Sequence, residues 1–151
     1  PNEYHKGDMS SVVFKAFHQI QETGKVRLFK SYKPQYKDGG QMRDFVYVKD
    51  CVDVMWWLFK NPRINGIFNL GTGKARTWND LIKAVFAAMK KKTNIEYIAM
   101  PEALRGQYQY FTEAEMTKLK KAGCPVKFST LEDAVRDYVV NYLQASDPHL
   151  G

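Results

Sequence analysis

Apolar positions along the chain recur first at helical and then at strand spacing, and the two periods alternate. Val13, Phe17 and Ile20 fall on one face of a helix that Asp8 can cap and Gly24 can stop, which predicts a helix over residues 8–23. Val26 to Lys30 then reads as a short strand. Residues 31–42, with Pro34, Asp38, Gly39 and Gly40, have turn chemistry and no period, and form a long loop. A β-prone stretch, 44–48, precedes a helix over 50–60 whose apolar face includes Val54, Trp57 and Leu58 and which Pro62 cannot continue. Ile67 to Leu70 reads as a buried strand delivering the chain into Gly71-Thr72-Gly73. Thr77 and Asp80 resemble a capping box for a helix to about Lys91, Ile95 to Ala99 is a strand closed by Pro101, and Thr112 with Glu115 suggests a second box before a short helix ending at Gly123. A last helix starts at Ser129 or Thr130 and runs to about Leu143, with Leu131, Val135, Tyr138, Val139 and Tyr142 on one side. Alternating strands and helices define an α/β class. Residues 1–143 read as one α/β domain and 144–151 as a polar, flexible tail.

The length of 151 residues suits one domain with its own core, and 44% hydrophobic with 26% charged residues is ordinary for a globular protein. The first residues, Pro1 to Gly7, carry no initiator Met and no signal pattern, and read as a cut inside a longer polypeptide. The densest apolar run, Val54 to Phe59, is far shorter than a membrane span, so a soluble protein is expected. Cys51 and Cys124 have no CxxC spacing, which points to two reduced thiols and a cytoplasmic location. A formal charge of +7 invites an anionic partner. The basic residues are scattered, however, and Lys90-Lys91-Lys92 falls where a helix end would use positive charge. Charge thus narrows the partner to something anionic without choosing between a metabolite and a polymer, and a small basic nucleic-acid module is the alternative from another class.

Four pieces carry candidate chemistry. Lys6, in His5-Lys6-Gly7-Asp8, reads either as a solvated lysine or as a proton donor and acceptor. Arg43, before Asp44, can grip phosphate with two hydrogen bonds or form a surface ion pair. Gly71-Thr72-Gly73 lies between a strand and a helix and is either a phosphate-binding turn or a plain tight turn. Tyr108, between Gln107 and Gln109, can stack on a base or cover a core edge. His18 and His149 have no second ligand at metal spacing, and an aromatic surface at Trp56, Trp57 or Phe59 reads either as a missing contact or as ordinary core burial.

Taken in order, His5-Lys6-Gly7, the run from Arg43 to Asp50, the run from Ile67 to Gly73 and the run from Arg105 to Gln109 resemble the C-terminal, substrate-binding portion of extended short-chain dehydrogenases/reductases that act on nucleotide sugars. The start at His5, the strip Leu28-Phe29-Lys30-Ser31-Tyr32 and Gln107-Tyr108-Gln109 most resemble the branch that epimerises ADP-heptose for lipopolysaccharide. The resemblance implies an NADP-dependent epimerase that oxidises and re-reduces the sugar at C6. NADP would be bound mainly by a Rossmann domain upstream, because these residues hold neither a glycine-rich βαβ fingerprint nor a YxxxK. It makes Lys6 the second catalytic acid/base, beside the nicotinamide, and Arg43 a diphosphate ligand. It places Asp8, Lys15, Phe29, Lys30, Ser31, Tyr32 and Tyr108 on the ADP-sugar. Asp8 stands where the family has a serine and Lys15 where it has a histidine. The family also implies a homo-oligomer, and from the sequence itself no membrane and no metal are expected. UDP-, GDP- or dTDP-sugar epimerases and dehydratases are the nearest alternatives.

Overall fold

The first helix begins later than its apolar period predicts, and the reason is local. In the computed structural model, which describes residues 2–147, Asp8 sits in a short 3-10 helix, Gly7–Met9, entered through Gly7 at φ +50°. Ser11 instead caps α1 (Val12–Thr23), its Oγ accepting the Phe14 N–H at 3.2 Å. A serine three residues from an unpaired N–H outcompetes an aspartate held in a separate turn. Gly24 ends α1 as expected, left-handed at φ +69°. Ala16, Phe17 and Ile20 are buried.

The described residues form two compact units. Unit 1 comprises those of Pro1–Gln41, Thr77–Tyr108 and Leu131–Gly151. Its two-stranded parallel sheet pairs β1 (Val26–Phe29) with β4 (Ile95–Ile98), from Val26 opposite Ile95 to Phe29 opposite Ile98. The Lys30 N–H extends the ladder to the Ile98 carbonyl at 2.9 Å. Between them, α3 (Trp78–Ala88) opens on the expected capping box: Thr77 Oγ1 accepts the Asp80 N–H at 3.0 Å and Asp80 Oδ2 accepts the Thr77 N–H at 3.1 Å. Leu81, Ile82, Ala84, Val85 and Phe86 give α3 a buried face, against which α1 and α6 (Leu131–Tyr138) pack. Past α3, Lys91 Nζ donates to the Ile20 carbonyl at 3.3 Å, so part of the basic run serves the end of α1. The four-residue α4 (Glu102–Arg105) follows β4. The last predicted helix is one run with two geometries, α6 and then a π-turn, Val139–Leu143. Leu131, Val135, Tyr138, Val139 and Leu143 are buried along it. The expected tail beyond it includes Pro148 and His149, which lie outside the described residues, as does Pro1.

Unit 2, Met42–Arg76 and Gln109–Thr130, is built around α2 (Val48–Lys60) and α5 (Thr117–Lys121). Val54, Met116 and Leu119 centre its core, with Trp57, Leu58, Phe68, Leu70 and Phe128 packed against them. Both expected strands here are absent. Strand β2 is only Met42–Arg43, and residues 67–70 form no ladder. A β-prone sequence needs a partner edge to become a strand. Met42 has one, exchanging bonds with Tyr110 and Thr112, whereas Ile67 is 87% exposed. Strand β3 (Arg76–Thr77) hydrogen-bonds with β2. The second capping box also fails: α5 starts at Thr117, and Glu115 Oε1 takes the Thr117 N–H directly at 2.8 Å. Asp50 starts no helix. It lies buried in the first turn of α2, accepting from the Ser129 N–H and Oγ at 2.9 Å each.

Candidate functional site

The strip that leaves β1 is shaped by its own backbone bonds. Ser31 N–H donates to Asp38 Oδ1 at 2.8 Å, while Ser31 Oγ donates to the Lys33 carbonyl, so the loop over 31–38 closes on itself. Beneath it, the fully buried Gln41 sends Nε2 toward the Phe29 and Lys30 carbonyls at 3.5 and 3.3 Å. Tyr32 is exposed and carries the Arg105 guanidinium 4.1 Å above its ring. Arg105 is held in turn by its Nε bond to the Met100 carbonyl at 3.0 Å.

Phe29 and Tyr108 meet edge to face, centroids 6.3 Å apart at 85°. They share a cavity of about 320 Å³ with Lys15, Gln19, Gln41 and Trp78, all in unit 1. That volume lies at the lower end of ligand pockets, about 300 to 1,000 Å³. Ring edges, two amides and a lysine suit a planar, partly polar group bearing negative charge. Lys15 reaches back from α1, its Nζ donating to the Asp8 carbonyl at 2.6 Å. Asp8 is therefore tied to the cavity wall through its backbone carbonyl.

Lys6 stands on the adjoining turn. Its side chain is 46% exposed, with Nζ 3.9 Å from Glu3 Oε2, and its N–H donates to the Glu3 carbonyl at 3.0 Å. The structure thus brings Lys15, Phe29 and Tyr108 around one cavity, links Asp8 to Lys15, and runs Lys30, Ser31 and Tyr32 out along the same strip. Arg43 belongs to unit 2, where its Nη1 donates to the Met42 carbonyl at 2.7 Å.

The Gly71-Thr72-Gly73 turn is committed internally. Asp44 accepts the Thr72 N–H at 2.8 Å, the Gly73 N–H at 2.9 Å, the Ala114 N–H at 3.0 Å and the Thr72 hydroxyl. Burial pushes the Asp44 carboxyl up, but these hydrogen bonds outweigh it and hold the group below the usual aspartate range. The N–H groups that a phosphate would need already hold a carboxylate, so the phosphate reading of this turn is set aside. Among the described residues no glycine-rich turn leads directly from a strand into a helix in the manner of a dinucleotide cradle. The N–H groups of Thr72 and Gly73, committed to Asp44, are not available to an NAD(P) diphosphate.

Other sequence candidates resolve simply. His18 packs against the rings of Phe14 and Phe17 at 4.5 and 5.4 Å. No group of three or more metal-ligating side chains occurs among the described residues. Cys51 and Cys124 are free and half-buried, and burial followed by the Asp50 charge pushes the Cys51 thiol up. Trp57 joins the unit 2 core, while Trp56 stacks on Phe59 at 5.5 Å with both rings exposed. No described helix is long and apolar enough to cross a membrane. Gln41 and Asp44 escaped the sequence reading. Asp44 offered one signal, a carboxylate beside an arginine in a β-prone run; Gln41 offered none.

Residues 1–71 match the NAD dependent epimerase/dehydratase family. The chain is 67% identical over 150 residues to the ADP-L-glycero-D-manno-heptose-6-epimerase of Nitratidesulfovibrio vulgaris strain Hildenborough, covering 99% of this chain and 46% of that protein. It is 49% identical over 156 residues to the enzyme of the same name from Fusobacterium nucleatum, covering 99% and 47%. Among solved structures, Helicobacter pylori ADP-L-glycero-D-manno-heptose-6-epimerase superposes with a TM-score of 0.74 at 22% identity, over 93% of this chain and 40% of that one. UDP-glucose 4-epimerase of Thermus thermophilus, in complex with NAD, gives 0.65 at 25% identity, over 83% and 37%. The chain spans about half the length of the curated relatives it matches. With its α/β fold, the chain is thus similar over nearly its whole length to about half of each of these heptose epimerases, and over residues 1–71 to the NAD dependent epimerase/dehydratase family.

Proposed function

We propose that this chain is the substrate-binding part of an epimerase that interconverts ADP-D-glycero-D-manno-heptose and ADP-L-glycero-D-manno-heptose at C6 of the heptose, in lipopolysaccharide synthesis. The observation that carries the reading is the cavity walled by Lys15, Phe29 and Tyr108, in a chain 67% identical to an enzyme of that name. Such walls take a purine ring edge-on, and the cationic rim favours the attached phosphates. Lys30, Ser31 and Tyr32 extend the contact along the ligand, with Asp8 contributing through its backbone. Arg43 is assigned to the diphosphate on the resemblance alone.

Lys6 is the proton donor and acceptor at the hydroxyl oxygen of the carbon that inverts, beside the nicotinamide. NADP would supply the hydride chemistry from a part of the protein this chain does not span. The working protein is a cytoplasmic homo-oligomer in this reading, and the 151 residues alone are inactive.

The test joins the chain to an upstream portion of the length its relatives have and follows epimer interconversion by NMR, with and without Lys6→Ala. Turnover is expected to fall by about a hundredfold or more, in the range for losing a general acid/base. Unchanged turnover would remove Lys6 from the mechanism.

A further inference from the structure

Glu3 is a carboxylate in the wrong place for a surface residue. It is 7% exposed, and no motif in the sequence marks it. Burying a carboxylate is costly unless donors surround it. Three do: the Ser11 N–H at 2.6 Å, the Ser11 hydroxyl at 2.7 Å and the Tyr138 hydroxyl at 2.8 Å. Ser11 caps α1 and Tyr138 ends α6, so one side chain clamps the start of the chain to two helices of unit 1. Burial raises the carboxyl's proton affinity, but the bonds from Ser11 and Tyr138 and the Lys6 charge bring it below the usual glutamate range, so it stays ionised.

What this clamp holds is the Lys6 turn. The Glu3 carbonyl accepts the Lys6 N–H at 3.0 Å, and Glu3 Oε2 lies 3.9 Å from Lys6 Nζ. The Lys6 carbonyl in turn accepts the Met9 N–H at 2.9 Å. Lys6 therefore has its backbone fixed on both sides while its side chain stays half exposed. An ion pair so open adds little stability. Its geometric effect is larger, because a reacting group misplaced by about 1 Å loses about a hundredfold in rate.

We propose that Glu3 is a positioning residue that fixes Lys6, through the turn it anchors and through its carboxylate, in the orientation proton transfer requires. This rests on the Lys6 reading above. The experiment uses the chain joined to its upstream portion and compares Glu3→Gln, Glu3→Ala, Lys6→Ala and Val85→Ala, the last a buried α3 position outside the site that serves as a stability control. Glu3→Gln keeps the shape but presents an amide to the Ser11 donors and loses the charge. It is expected to lower kcat about tenfold, and Glu3→Ala about a hundredfold, with KM for the nucleotide sugar within about twofold of the parent. Val85→Ala is expected to lose stability and keep kcat. If Lys6→Ala abolishes turnover while both Glu3 variants keep parental kcat, the Glu3 proposal falls and the Lys6 reading stands. If the Glu3 variants raise KM and lose Tm in proportion to a kcat loss that Val85→Ala matches, Glu3 is structural and the proposal is overturned. If Lys6→Ala itself turns over normally, the Lys6 reading fails first.

Discussion

Replacing Asp44 by Ala removes a carboxylate that organises three backbone segments at once. Its oxygens accept the N–H groups of Thr72, Gly73 and Ala114 and the Thr72 hydroxyl. A hydrogen bond to a charged group contributes about 1.5 to 3 kcal/mol, so four taken at face value give about 6 to 12 kcal/mol. That sum is too large here. Asp44, Thr72 and Ala114 are only half-buried and Gly73 is exposed, so water replaces much of what is lost. A net loss of about 2 to 4 kcal/mol is expected, measured by urea denaturation followed through tryptophan fluorescence. For a chain of this size it corresponds to a drop in Tm of about 4 to 16 °C. The loss has a pH signature. Because the folded state holds the Asp44 carboxyl below its unfolded value, its stabilisation is fully present above about pH 4 and disappears as pH falls through the lower folded value. Parent and variant stabilities should therefore converge only in acid. A deficit below about 0.5 kcal/mol at pH 7, or one independent of pH down to about 3, would refute the assignment of Asp44 as the anchor of this turn.

Two further changes test the framework by their effect on stability. A Cβ on Gly71 would lie 2.5 Å from both the Ala114 methyl carbon and Asp44 Oδ2, so Gly71→Ala should cost about 1 to 3 kcal/mol in the same denaturation experiment. Thr77→Ala opens the capping box of α3 and should cost about 1 kcal/mol, seen as a modest fall in Tm with near-parental helicity by circular dichroism.

The helices of unit 1 were legible because their signals are local. Phe17 and Ile20 on α1, the Thr77 and Asp80 box, Gly24 and the stripe from Leu131 to Val139 each speak within a few residues. The two strand misreadings share one cause. Residues 44–48 and 67–70 have strand composition, yet a strand exists only where another segment supplies its ladder. Asp8 and Ser11 are both cap-type residues, and only the bend at Gly7 decided between them.

For the candidate site the division is similar. Residue identity and order suggested the family resemblance and nominated the Lys6 turn, the Phe29 to Tyr32 strip and Tyr108 as candidates, because those strings are contiguous. Only the folded chain could bring Tyr138 to Glu3, 135 residues away, or Asp44 to the N–H groups of residues 72, 73 and 114. A glycine-threonine-glycine turn looks the same in sequence whether its N–H groups face a phosphate or a carboxylate of the same chain. Burial and hydrogen-bond satisfaction are properties of packed segments, and they alone separate the two.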